Sequence, residues 1–274
     1  MKYAVLGSDS FSGQHMCDYL RERGDRVFPF GRRFDINLHI DEIMDLLNAT
    51  KPDYIINFIA KGLVAESWAA PCDWVQTNVL SMTRLIDRLK QFPIQRYIHV
   101  STPEVYGSGV HSEGSAYNPS TPYAVSKAAM EMMLRAYWKA YQFPVVFTRS
   151  ANVYGPRQEK RLIPLAMDHK KNGTAFQMHG DGSSLRSFIH IRDVCAATKL
   201  LCEKGERGEA YNIATKDLVS VKELLDMIGC KYESVPDRLA KDAAYRLTSG
   251  KMRILGWTDM ITLEKGLDEV WASR

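Results

Sequence analysis

The feature that most constrains this chain is a unit that repeats along its first half: a short apolar run, a turn of small residues, then a helical stretch. Lys2–Leu6 leads into Gly7-Ser8-Asp9-Ser10-Phe11-Ser12-Gly13 and a helix over 13–23 that Gly24 ends. Arg26–Phe30 follows, closed by Gly31-Arg32-Arg33, and then Asp35-Ile36, read as a very short third strand. A helix at 40–50, an apolar strand at 54–59 with the turn Ala60-Lys61-Gly62, a helix at 73–91 and a strand at Arg96–Val100 continue the series. A long helix from Tyr123 and a strand at 143–149 complete it. Strict alternation of this kind predicts an α/β fold, a doubly wound parallel sheet with right-handed crossovers.

In such sheets ligands bind at the C-terminal ends of the strands, and the first turn is a phosphate site. The turn brings backbone N–H groups to a helix N-terminus, where aligned peptide dipoles favour a pyrophosphate. Gly7-x-x-Ser10-x-x-Gly13 keeps the outer glycines and puts serine in the middle, and a simple helix cap by Ser10 or Ser12 is the competing explanation. A ribose with a free 2′-hydroxyl meets an acid after the second strand, whereas a 2′-phosphate wants arginine. Here the strand ends on Arg32 and Arg33, which favours NADP over NAD, although a solvated basic turn also accounts for the pair. Asp35, beside Ile36, is placed to accept from an adenine amino group. The candidate cofactor contacts are therefore Gly7, Ser10, Phe11, Gly13, Arg32, Arg33, Asp35, Ile36 and Ala60.

The stretch 120–141 sets Tyr123 and Lys127 four residues apart, on one face at the head of a helix. A nearby ammonium lowers a phenol's ordinary pKa of about 10, so the pair suits proton transfer and also belongs with the cofactor contacts. Upstream, Arg96–Val100 runs into Ser101-Thr102-Pro103-Glu104, which places a hydroxyl and a carboxylate at a strand's ligand end. All of these groups converge on one crevice if the helix packs beside that strand.

With 274 residues, 45% of them hydrophobic, the chain can bury a full core. A net charge of +4 without basic runs argues against nucleic acid or membrane surfaces as partners, and no apolar run approaches the ~20 residues of a membrane span. Five scattered cysteines without Cys-x-x-Cys spacing suit reduced core thiols, no metal site and a cytoplasmic setting. After Gly155-Pro156 the alternation breaks. Arg186 to Ile191 and Tyr211 to Ile213 read as strands of the main body, and the remainder as a small interleaved C-terminal α/β lobe. The helices at 73–91 and 123–141 are apolar on more than one face, which predicts a homodimer interface or a covering loop.

Seven motifs, in order, carry a family likeness: STPEVYG (101–107), YAVSK (123–127), NVYGP (152–156), LIP (162–164), GDGSSLRSFIHIRDV (180–194), GEAYNI (208–213) and SGKMRILGW (249–257). Through them the chain resembles the extended short-chain dehydrogenase/reductases that modify nucleotide-sugars, most of all the dTDP-glucose 4,6-dehydratase branch. The resemblance implies a Rossmann domain over 1–155 with 185–215, and a nucleotide-sugar-binding lobe over 156–184 with 216–274. It implies that Tyr123 and Lys127 are catalytic, that Thr102 binds the sugar 4-hydroxyl, and that Asn152, Arg186 and Arg238 hold the nucleotide diphosphate. Glu104 matches the family's base for the C5 proton. Pro103 departs from the branch, which has an acid or a hydroxyl there. The implied activity is a 4,6-dehydratase; a C4 epimerase, an NADPH-dependent 4-keto-sugar reductase and a cofactor-binding regulator with a dead site are the alternatives.

Overall fold

The computed structural model describes residues 1–236 and 245–274, so Arg238 lies outside the described residues. Six strands form one parallel sheet: β1 (Lys2–Leu6), β2 (Arg26–Phe30), β3 (Tyr54–Asn57), β4 (Arg96–Val100), β6 (Val145–Ser150) and β11 (Ala210–Ile213). Their spatial order is β11-β6-β4-β3-β1-β2. The chain steps outward from β1 to β2 and then returns to β3 on the other side of β1, which makes the β1/β3 boundary the switch point where such sheets bind ligands. Tyr54–Asn57 and Ala210–Ile213 are buried at every position, as strands covered on both faces must be.

One face of the sheet is covered by α1 (Phe11–Arg21) and α8 (Ile191–Lys204), which contribute Met16, Leu20, Val194 and Leu201 to a core with Val5, Ile56 and Ile98. The other face holds α2 (Ile40–Thr50), α5 (Met82–Leu89) and α6 (Pro122–Tyr141), packing Ile43, Leu85 and Met130 with Ala4, Ile55 and Phe147. A third core gathers Ile163 and Met167 of α7 (Leu162–Asn172), Leu224 and Leu225 of α9 (Val221–Ile228) and Val270 of α11 (Leu263–Ala272). This is the smaller C-terminal substructure. Its short sheets pair β8 (Phe176–His179) with β13 (Tyr232–Val235), and β9 (Leu185–Arg186) with β12 (Val219–Ser220). In contrast, α10 (Gly250–Ile254) docks on the main body, with Met252 in the first core and the Ser249 hydroxyl accepting the Ala214 N–H at 3.0 Å.

Three elements differ from the sequence expectation. Asp35-Ile36 is a turn and not a strand: the Asp35 carboxylate accepts the Asn37 N–H at 2.8 Å and its carbonyl accepts from Leu38 and His39, so local bonds outcompete a ladder. The helix expected over 73–91 is three pieces: α4 (Pro71–Val75), a π-helical segment at Gln76–Ser81, and α5. The π segment turns Asn78 inward, where its amide bonds both the N–H and the carbonyl of Lys61 and the Ser126 hydroxyl. Residues 186–191 do not join the main sheet; β10 (Phe188–His190) pairs instead with β7 (Asn152–Tyr154), which leaves the sheet's edge to β11. Among the five free cysteines, Cys72 is exposed and the others are buried.

Candidate active site

The turn after β1 is built around two close approaches. Gly7 has φ +77°, and a Cβ there would lie 3.0 Å from the Ile59 nitrogen in the loop after β3. A Cβ on Gly13 would collide with the Gly7 carbonyl, so α1 can press its N-terminus onto the turn only with glycine at that point. Ser10 caps the helix, accepting the Gly13 N–H at 3.1 Å while its hydroxyl donates to the Gly7 carbonyl at 2.7 Å. Ser10 is thus the helix cap, and its bond to Gly7 also shapes the turn at the switch point. This cradle of helix N-terminus and glycines fits a dinucleotide pyrophosphate.

The other expected cofactor residues divide by exposure. Phe11 packs on the first core and lies edge-on to His15 at 5.2 Å. Ile36 is buried among Phe30 and Phe34, supporting the turn from below. Asp35 and Ala60 are exposed at the sheet's ligand edge. Arg32 and Arg33 are exposed too, with the Arg33 guanidinium 4.5 Å from the centre of the Phe34 ring.

Asp9 is a residue that sequence reasoning missed. Its carboxylate accepts the Arg32 backbone N–H at 2.7 Å, so an acid stands at the end of β2 although the chain there reads Gly-Arg-Arg. No local pattern announces it, because the two residues meet only when β1 and β2 are paired.

The catalytic candidates meet at the end of β4. Thr102 caps a 3₁₀ helix at Pro103–Tyr106, its hydroxyl accepting the Glu104 N–H at 3.3 Å. Pro103 occupies the first helical position, where its missing N–H costs nothing and its fixed φ pre-sets the turn that presents Glu104. Across from it, Thr121 caps α6 by accepting the Ala124 N–H at 3.1 Å, with Pro122 first and Tyr123 next. The Tyr123 hydroxyl shares a hydrogen bond with the Thr102 side chain, and Glu104 lies close enough to act on it electrostatically. Three of the four catalytic candidates thus form one cluster.

Lys127 takes a different part from the one its spacing suggested. Its ammonium donates to the Val100 carbonyl at 2.7 Å, and burial pushes it down to about 8 against the smaller pull of Glu131. The Tyr123 phenol is held above its ordinary value, first by burial and then by Glu104; Thr102 and the Arg161 guanidinium act the other way and lose. Arg161, just before α7, also donates to the Gly62 carbonyl at 3.1 Å, spanning from the smaller substructure to the loop after β3. The sequence signal for it was the residue preceding LIP, which the motif left out.

Of the expected diphosphate ligands, Asn152 donates both its backbone and its side-chain N–H to the Ser187 carbonyl, at 3.0 and 3.2 Å. Arg186 is partly exposed and donates to the Leu185 carbonyl at 2.9 Å. Both stand on the short strands that leave the main sheet.

A model of the family described as "NAD dependent epimerase/dehydratase family" matches residues 3–214, which is more than half of the chain. The chain belongs to this family. Within it, the chain is 35% identical over 81% of its length to the dTDP-D-glucose 4,6-dehydratase of Mus musculus, covering 67% of that protein. Among solved structures, DesIV, a dTDP-glucose 4,6-dehydratase of Streptomyces venezuelae with NAD bound, superposes with TM-score 0.91 at 29% identity, covering 100% of this chain and 96% of that one. A UDP-glucose 4-epimerase of Thermotoga maritima superposes with TM-score 0.93 at 25% identity, covering 100% and 98%. This epimerase/dehydratase chain is an NAD(P)-dependent enzyme of nucleotide-sugar modification, dTDP-glucose 4,6-dehydratase-like in its family placement. No helix among the described residues is long and apolar enough to cross a membrane.

Proposed function

We propose that this enzyme is a nucleotide-sugar 4,6-dehydratase, with Tyr123, Thr102, Glu104 and Lys127 as its catalytic residues and Asn152 and Arg186 on the nucleotide diphosphate. The observation that carries this reading is the Glu104 carboxylate standing beside the Tyr123–Thr102 hydrogen bond. Tyr123 and Thr102 suffice to hold a sugar 4-hydroxyl and move its proton; a carboxylate at the same spot is what elimination adds. A dinucleotide held in the cradle of Gly7, Gly13 and the first turn of α1 would supply the acceptor for the C4 hydride and its return to C6. Burial and Glu104 keep the Tyr123 phenol protonated in the free protein, and the positive nicotinamide ring of a bound dinucleotide would favour the phenolate; in that form Tyr123 takes the hydroxyl proton as the 4-keto sugar forms, after which the C5 proton is acidic. Glu104 removes that proton and passes it to the C6 oxygen, which departs as water. One carboxylate serves as base and then acid, consistent with Pro103 having no proton to give. Lys127 holds the Val100 carbonyl and fixes α6 against β4, keeping Tyr123 in register.

The test is product mass after incubation with a panel of nucleotide-sugars. Loss of one water supports the proposal; an unchanged mass with inversion at C4 means an epimerase, and consumption of added NADPH means a reductase. The segments at 71–89 and 122–141 leave Val75, Leu80, Met132 and Tyr141 exposed, which supports a homodimer through them, with solution mass as the measurement.

A further inference from the structure

We infer that Asp9 is the residue that reads the adenosine ribose, and that through it this enzyme selects NAD over NADP. The inference rests on the family's use of a nicotinamide dinucleotide, and not on which sugar reaction follows. It reverses the expectation drawn from Arg32 and Arg33.

The position after Phe30, where an acid for the ribose hydroxyls is expected, is Gly31, and it has no side chain. The space this leaves is filled. A Cβ on Gly31 would collide with both carboxylate oxygens of Asp9, so the acid comes from the turn after β1 and glycine makes room for it. Its position is fixed from two sides. The N–H groups of Gly7 and Ser8 both donate to the Phe30 carbonyl, at 2.8 and 3.1 Å, tying the turn to the end of β2. The Arg32 N–H then holds one carboxylate oxygen at 2.7 Å, and the Ser8 hydroxyl lies 3.5 Å from the other. The residue remains exposed at the ligand edge, beside the cradle formed by Gly7 and the first turn of α1.

A carboxylate there accepts hydrogen bonds from free 2′- and 3′-hydroxyls. A 2′-phosphate brings about −2 of charge against it, and such like-charge juxtaposition is the repulsive element that makes a site specific. Arg32 contributes its backbone N–H to Asp9, and the Arg33 guanidinium rests on the Phe34 ring.

The test is equilibrium binding of NAD and NADP by titration calorimetry, without any sugar nucleotide, on protein freed of copurified dinucleotide. The unmodified chain is expected to bind NAD at least about tenfold more tightly than NADP. Asp9→Asn keeps an acceptor for the Arg32 N–H but removes the charge, and should cut that ratio by about tenfold. Gly31→Ala displaces the carboxylate with its charge intact and should weaken NAD binding by a similar factor; melting curves show that each variant is folded. Equal or tighter binding of NADP by the unmodified chain overturns the inference, and so does an Asp9→Asn ratio equal to that of the unmodified chain. Failure of the dehydratase reading would appear only in the product-mass experiment, which these titrations do not touch.

Discussion

At the scale of single residues, the site turns on the balance of burial against nearby charge at Tyr123 and Lys127. Burial wins at both. The Tyr123 phenol is protonated at neutral pH in the free protein, and the Lys127 ammonium, at about 8, loses its charge in the mildly alkaline range. Tyr123→Phe is expected to abolish hydride transfer while dinucleotide affinity stays within a few-fold, measured by nicotinamide absorbance and by titration. Glu104→Gln should stop water loss but still allow reduced nicotinamide to accumulate on adding substrate; dehydrated product at a comparable rate would remove Glu104 from the mechanism. Lys127 also costs stability. Its native pKa lies below the unfolded 10.5, so at neutral pH the folded state holds a proton it disfavours. Lys127→Met should therefore raise unfolding free energy by about 1–2 kcal/mol, after the lost bond to Val100 is deducted, while turnover falls.

At the scale of elements, the long helix is held to the sheet by a buried ion pair as well as by apolar packing. Glu131 of α6 faces Arg149 of β6: the guanidinium Nε donates to the carboxylate at 3.0 Å, and both side chains are essentially inaccessible. Burial alone would raise the Glu131 carboxyl, but the Arg149 hydrogen bonds and charge hold it below its ordinary value, aided by Tyr117. Arg149 in turn donates to the Tyr106 and Tyr117 hydroxyls, and Tyr106 donates to Asn212 of β11 at 3.0 Å. This network joins α6, the segment carrying Glu104, and two strands. Removing one partner strands the other charge, so Glu131→Gln should destabilise by about 3–5 kcal/mol in denaturant unfolding. Glu131→Leu with Arg149→Met should recover most of that loss if the pair acts through desolvation and not through net attraction.

At the scale of the whole molecule, pH stability is set by histidines buried without charge. Burial holds His99 of β4 well below 6.5, reinforced by Lys127 and Arg149, and His190 at about 4. In each case the unfolded chain takes a proton near pH 6.5 that the folded chain refuses until lower pH. Stability is therefore full above about 6.5 and falls with acidification down to the native pKa, by up to about 1.4 kcal/mol per pH unit for each histidine. His99 lies edge-on to Phe147 with neither ring nitrogen hydrogen-bonded, so His99→Phe leaves no partner behind. It should flatten the fall between pH 6.5 and 5, read by urea unfolding at each pH.

Periodicity and turn chemistry are local, and they determined the βα alternation, the switch-point turn, the helix that carries Tyr123 and Lys127, and the loop that carries Thr102 and Glu104. These follow from apolar spacing, from glycine and proline punctuation and from capping residues, each of which acts over a few neighbours in the chain. What depends on pairing was not written locally. The strand expected at Asp35-Ile36 gave way to a turn because a side-chain bond was available two residues on. The π segment in the helix at 71–89 formed because Asn78 had partners on two distant segments. Lys127 donates to Val100 because the strand end behind the helix offers it a carbonyl acceptor at 2.7 Å. Asp9 and Gly31 are ordinary residues in sequence, separated by a whole helix and a strand. Only the parallel pairing of β1 with β2 brings the carboxylate of one into the space left by the other, because hydrogen-bonded strands align residues that the chain keeps apart.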